Sequence, residues 1–81
     1  MGRNSERERA VKAALRRAIT SYRKADTAGE KAERELKRLR ERKTLIEPDE
    51  LEKMQSLYQA YIDSVNASVN DIDNVVGLVI Y

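Results

Sequence analysis

Thr44-Leu45-Ile46-Glu47-Pro48-Asp49-Glu50-Leu51 separates two stretches that repeat one pattern, and its reading decides the fold. Proline has no amide N–H to leave unpaired, so Pro48 suits a first helical position. Asp49, Glu50 and Glu52 then set negative charge at the positive end of the helix dipole. Thr44 to Glu47 is left as a short connection, and short connections between helices make antiparallel neighbours.

Upstream of this turn, Val11, Leu15, Ala18, Tyr22, Ala25, Gly29, Ala32, Leu36, Leu39, Lys43 and Ile46 alternate spacings of four and three. That 3.5-residue repeat marks a helix keeping one seam against a partner helix. Ser5 and Glu8 have capping-box spacing, so helix one is expected over about 5–43. Downstream, Leu51, Met54, Tyr58, Tyr61, Val65, Ser68, Ile72, Val75 and Val79 alternate in the same way. Gly77 is a natural terminator. Helix two is therefore expected over about 48–76, with 77–81 an apolar C-terminal tail of a single domain, 1–81.

Folding the chain at the turn sets Leu39 beside Leu51, Gly29 and Ala32 opposite Tyr58 and Tyr61, and Ala25 opposite Val65 and Ser68. Small residues on one arm meet large ones on the other, as dense packing requires. The expected fold is all-α: a long antiparallel helical hairpin, coiled-coil-like, dimerising into a four-helix bundle. A three-helix bundle with a break near Asp26-Gly29 is the alternative. Thr27 and Glu30 also have capping-box spacing there, and an interior glycine costs ~1 kcal/mol.

Beside the second seam runs a further apolar line, Ile62, Val69 and Val76. The resulting arc is wider than one partner helix covers. With Leu78, Ile80 and Tyr81 of the tail it forms a candidate interface, and a homodimer or another protein is the expected cover.

Charge divides the chain as well. Residues 1–46 carry fifteen Lys/Arg and seven Asp/Glu, or +8; residues 47–81 carry one and seven, or −6. The outward face of helix one holds Arg9, Arg16, Arg17, Arg23, Lys24, Lys31, Lys37 and Arg38, with Glu30 its only acid. Such a face suits an acidic protein surface or a phosphate backbone, although no aromatic interleaves it to stack on bases. Glu8–Lys12, Glu30–Arg34 and Glu33–Lys37 have the spacing of local ion pairs. Tyr22, Tyr58 and Tyr61 fall on the seams and are expected in the core.

The chain has no cysteine and no histidine, which removes disulfides, thiolate metal sites and the usual neutral-pH acid–base group. It has no glycine-rich phosphate loop and no serine with an evident base beside it. Asn70-Asp71-Ile72-Asp73-Asn74 misses the calcium-loop pattern at Val75 and Val76 and is expected as a solvated acidic face. A protein that is not an enzyme follows, with no catalytic, cofactor-binding or metal residue and no small-molecule substrate. No apolar run approaches the ~20 residues that span a bilayer, and no signal peptide or myristoylation motif is visible, so a cytoplasmic location without membrane contact is expected.

A hairpin with a basic first arm is loosely similar to small RNA-binding hairpin dimers of plasmid copy control and to two-helix phosphatases of sporulation response regulators. Neither family's motif is present: the second wants Ser-Gln-x-Leu-Asp where this chain has Gln55-Ser56-Leu57, so nothing carries over. The expected function is a helical protein-interaction or assembly module, of the kind a phage or mobile element uses to occlude a host macromolecule. A nucleic-acid-binding dimer using the basic face and a purely structural assembly protein are the alternatives.

Overall fold

A computed structural model describes residues 2–80, with side-chain surroundings from residue 5 to residue 80. Two helices, α1 (Gly2–Arg40) and α2 (Pro48–Ile80), fold back on each other across residues 41–47. The hairpin measures 66 × 15 × 14 Å. Its radius of gyration is 18.5 Å, against ~12 Å for a compact chain of this length. Ser21 bonds Asp71, Gly29 lies against Tyr61, and Arg38 pairs with Glu50, so residues whose numbers sum to roughly 90 share one level.

The turn forms as its residues dictate. α2 opens on Pro48, with Asp49 and Glu50 in its first turn. The Glu47 N–H donates to Glu50 Oε1 at 3.3 Å, while the N–H groups of Glu50 and Leu51 donate to the Glu47 carbonyl at 3.1 and 3.2 Å. These bonds satisfy groups that a helix start leaves unpaired. α1 ends at Arg40, three residues before Lys43, with Lys37, Arg38 and Arg40 in its last turn, where cations oppose the negative end of the dipole.

Several boundaries depart from expectation. α1 already begins at Gly2, so Ser5 and Glu8 lie inside it and cap nothing. α1 is also continuous through Asp26-Gly29, which overturns the three-helix alternative. A Cβ added at Gly29 would stand 3.1 Å from Tyr61 Cε1 and 3.3 Å from Cδ1, so the ring occupies the space a side chain would fill. That packing offsets the glycine's poor helix propensity. Gly77 does not stop α2, which runs to Ile80. Arg7 donates to the carbonyls of Leu78 at 3.1 and 3.0 Å and Val79 at 2.8 Å, caring for acceptors that a helix end leaves free. Residues 77–80 are therefore helix, and Tyr81 lies outside the described residues.

The seam keeps the heptad period but is turned about each helix axis. In α1 the buried residues are Ala14, Ala18, Ala25, Ala32, Glu35 and Leu39, with Val11, Ser21, Ala28 and Gly29 half-buried, as is Arg42 just past its end. Ala18, Ala25, Ala32 and Leu39 stand where expected and Gly29 keeps its contact with Tyr61, whereas Leu15, Tyr22, Leu36 and Lys43 yield to the residues one position earlier. α2 behaves alike. Met54, Tyr61, Ser68 and Val75 keep their places and Val65 stays half-buried beside Ser64, while Glu50, Leu57, Asp71 and Leu78 replace Leu51, Tyr58, Ile72 and Val79. Side chains of Ala and Ser size let the two backbones approach, and interaxial distance follows the side chains at the contact. Leu15, Tyr22, Leu36, Leu51, Tyr58, Ile72 and Val79 are left 44–64% exposed.

Gly29→Val adds a β-branched side chain against the Tyr61 ring. It is expected to destabilise the hairpin by about 1–3 kcal/mol through overpacking, read from urea unfolding followed by circular dichroism.

Candidate functional site

Three zones of the hairpin carry its polar and apolar chemistry. The first is an ion cluster beside the turn. Arg38 donates to the buried Glu35 carboxylate at 2.5 Å and 3.2 Å and to Glu50 Oε2 at 3.2 Å. Arg42 donates to the same Glu50 oxygen, and Lys53 Nζ lies 3.9 Å from Glu35. Glu35 and Glu50 are thus seam residues, Glu35 answered by cations from both arms and Glu50 by Arg38 and Arg42 of the first. The Arg38 hydrogen bond holds the Glu35 carboxyl below its ordinary range, and the Arg42 bond together with the Glu47 N–H does the same for Glu50. The two carboxylates in turn raise Arg38 above the usual guanidinium value. The cluster closes the turn, and each of its members answers another within it.

The second zone is an apolar face along one side of both helices. Leu15, Tyr22 and Leu36 recur along α1 with Ile19 outside them; Leu51, Tyr58, Ile72 and Val79 recur along α2 with Val69 and Val76 outside them. All are at least 44% exposed. A groove of about 530 Å³ runs between the helices here, lined by Tyr22, Leu36, Tyr58, Tyr61, Val65 and Val69 among others, with Gly29 at its floor. The rings of Tyr58 and Tyr61 are tilted, their centroids 6.1 Å apart. Only Tyr61 of the three seam tyrosines is even half-buried, which corrects the core assignment of Tyr22 and Tyr58.

The third zone lies on the opposite side. Arg23, Lys24 and Lys31 line a groove of about 600 Å³ with Thr20, Thr27, Leu57, Ala60 and Ser64. The Thr20, Thr27 and Ser64 hydroxyls donate to backbone carbonyls four residues earlier, at 3.1, 3.0 and 2.9 Å.

All eight cations of the expected basic face are exposed. Arg38 belongs to the turn cluster, and Lys37 pairs with Glu33 at 3.2 Å. Among the described residues, Arg16, Arg17, Arg23, Lys24 and Lys31 have no carboxylate within 4.0 Å. Of the local pairs expected, Glu33–Lys37 forms, while Glu8–Lys12 and Glu30–Arg34 do not. Of the candidate interface, Val69, Val76 and Ile80 are exposed, whereas Ile62 and Leu78 are half-buried, Leu78 at a seam position. Asp71 is not part of a solvated acidic face: it is half-buried and accepts the Ser21 hydroxyl across the seam. The signal for the turned seam was a second ladder one residue earlier, Ala14-Ser21-Ala28-Glu35-Arg42 against Glu50-Leu57-Ser64-Asp71-Leu78, which matches Ser21 with Asp71 and Arg42 with Glu50.

Among the described residues no cluster of acidic side chains is placed to hold a metal ion, and no helix is long and apolar enough to cross a membrane. No protein family, characterised protein or solved structure matches the chain.

The lowered carboxyls set a pH dependence. A carboxyl with a depressed folded-state pKa stabilises the fold above its unfolded value and loses that stabilisation as pH falls through the folded value. Thermal midpoints should therefore hold steady above the ordinary carboxyl value of 4.5 and fall below it. Glu35→Gln should lower the midpoint at pH 7 and flatten that acid slope, checked by melting curves between pH 3 and pH 7.

Proposed function

We propose that the chain is a non-enzymatic helical assembly module that self-associates through the apolar face running along both helices. The observation that carries this reading is the exposure of Leu15, Ile19, Tyr22, Leu36, Leu51, Tyr58, Val69, Ile72, Val76 and Val79 on one side of the hairpin. Contiguous apolar surface on this scale is what partner-binding faces present. The chain exposes 6755 Å², where a compact 9.3 kDa monomer would expose about 5,000 Å². The hairpin is 66 Å long and 15 Å wide, so one whole side of it projects about 1,000 Å², room for the ~800 Å² each partner contributes to a standard interface. Tyr22 and Tyr58 are well suited to anchor it, since tyrosine supplies large contact area at low conformational cost.

A second reading rests on a different observation, the unpaired cations at the other groove. Arg17, Arg23, Lys24 and Lys31 with Arg16 give a polyanion five contacts along one arm. Binding of duplex DNA through them should weaken several hundredfold between 50 and 200 mM salt. Lys24→Glu with Lys31→Glu should abolish it; no binding at low salt removes this reading.

For the leading reading, Val69→Glu and Ile72→Glu separate the roles of the two faces. Both residues are about half exposed in the hairpin, so the substitutions should leave helix content nearly unchanged while halving the mass seen by sedimentation equilibrium. The unsubstituted chain should show a melting midpoint that rises with concentration. A monomer at all concentrations would overturn the proposal.

A further inference from the structure

Face-to-face pairing of two hairpins leaves two symmetric arrangements, and the charges bordering the apolar face discriminate between them. On α1 the line flanking that face is Arg9, Arg16, Arg23, Glu30 and Lys37, which sums to +3; Lys12, Asp26, Glu33 and Arg40, on the Ile19 line between it and the face, cancel one another. On α2 it is Glu52, Gln59, Asn66, Asp73 and Ile80, which sums to −2. A two-fold axis perpendicular to the helices stacks α1 on α1 and α2 on α2, so each border meets its own sign. A two-fold axis parallel to the helices stacks α1 of one copy on α2 of the other, so opposite signs meet, and both turns fall at the same end.

The parallel axis also preserves levels. Within the hairpin, residues whose numbers sum to roughly 90 are level, as the contacts Gly29–Tyr61 and Arg38–Glu50 show. The same sum then holds between copies. Arg16 of one copy stands level with Asp73 of the other, and Lys37 with Glu52, while Arg23 meets Asn66 and Glu30 meets Gln59. No like-charge pair arises along the border. Arg16 and Asp73 are exposed and neither side chain is bonded within the hairpin among the described residues, so both are free for this use. Apolar burial supplies the association, and complementary rims select its geometry, because wrong juxtapositions of like charge are penalised.

We propose that a second copy of the chain covers the apolar face in this orientation, making a four-helix bundle with both turns at one end and Arg16–Asp73 and Lys37–Glu52 pairs between copies. This rests on the self-association proposed above.

The chain has no cysteine, so Leu45→Cys, at a turn position 88% exposed, gives a unique thiol for a spin label. Dipolar spectroscopy should find the two labels within about 35 Å, as expected for adjacent turns in a bundle of helices spaced ~10 Å apart. A distance near the 66 Å length of the hairpin would place the turns at opposite ends and overturn the orientation while leaving self-association standing. An absence of dipolar coupling with a monomeric mass would overturn both. As a second measure, Asp73→Arg should weaken the dimer roughly tenfold and Arg16→Asp in the same chain should restore it. Failure of the pair to restore would remove the assigned contact.

Discussion

Everything in this hairpin follows from how closely its two helices approach. The seam is paved with Ala14, Ala18, Ala25, Ala28 and Ala32 on one arm and meets Ser64 and Ser68 on the other. Residues of that size let the helix axes come close, and the larger seam residues Leu39, Leu57 and Tyr61 fit where small ones such as Gly29 stand opposite or beside them. The large apolar side chains are displaced to one flank, and Lys24 and Lys31 stand on the other. An interface made of small residues buries little apolar area, so the displaced face holds much of the large apolar surface still open to solvent.

The charged residues that enter the seam are tolerated because each is answered by a partner. Ser21 reaches Asp71, and Glu35 and Glu50 are held by Arg38 and Arg42. No described buried side-chain nitrogen or oxygen lacks a partner. Such pairing sets register more firmly than apolar contact alone, since a slip of one heptad would leave a carboxylate unanswered in the seam. The cluster near the turn and the Arg7 bonds at the far end fix the two extremities of a long, thin molecule whose middle depends on alanine packing and the Gly29–Tyr61 contact.

Seam placement explains why the exposed apolar face was only partly legible in the residues. Val69 and Val76 were recognisable as surplus to one partner helix, but Tyr22, Tyr58, Leu36 and Ile72 read as core because they are large, apolar and regularly spaced. Hydrophobic periodicity identifies a stripe on a helix and its pitch. It does not say which edge of a broad stripe faces the neighbouring helix of the same chain. Here the narrower, smaller edge faces inward and the bulkier edge outward. The same rotation parts the basic residues, sending Lys24 and Lys31 to one groove while Lys37 pairs beside the apolar side.

Sequence alone determined two helices, the heptad pitch of both, the start of α2 at Pro48 and the levels at which the arms meet. These are local or additive properties: a missing N–H, a dipole, a repeat and a count of residues from the turn. Tertiary structure decided the rest. Gly29 is helical because a tyrosine ring from the other arm fills its space, and Gly77 is helical because an arginine seventy residues away answers the carbonyls beyond it. The rotation of the seam likewise depends on the fit of both surfaces at once. No single residue encodes it, because the energy that selects it exists only when the two arms are in contact.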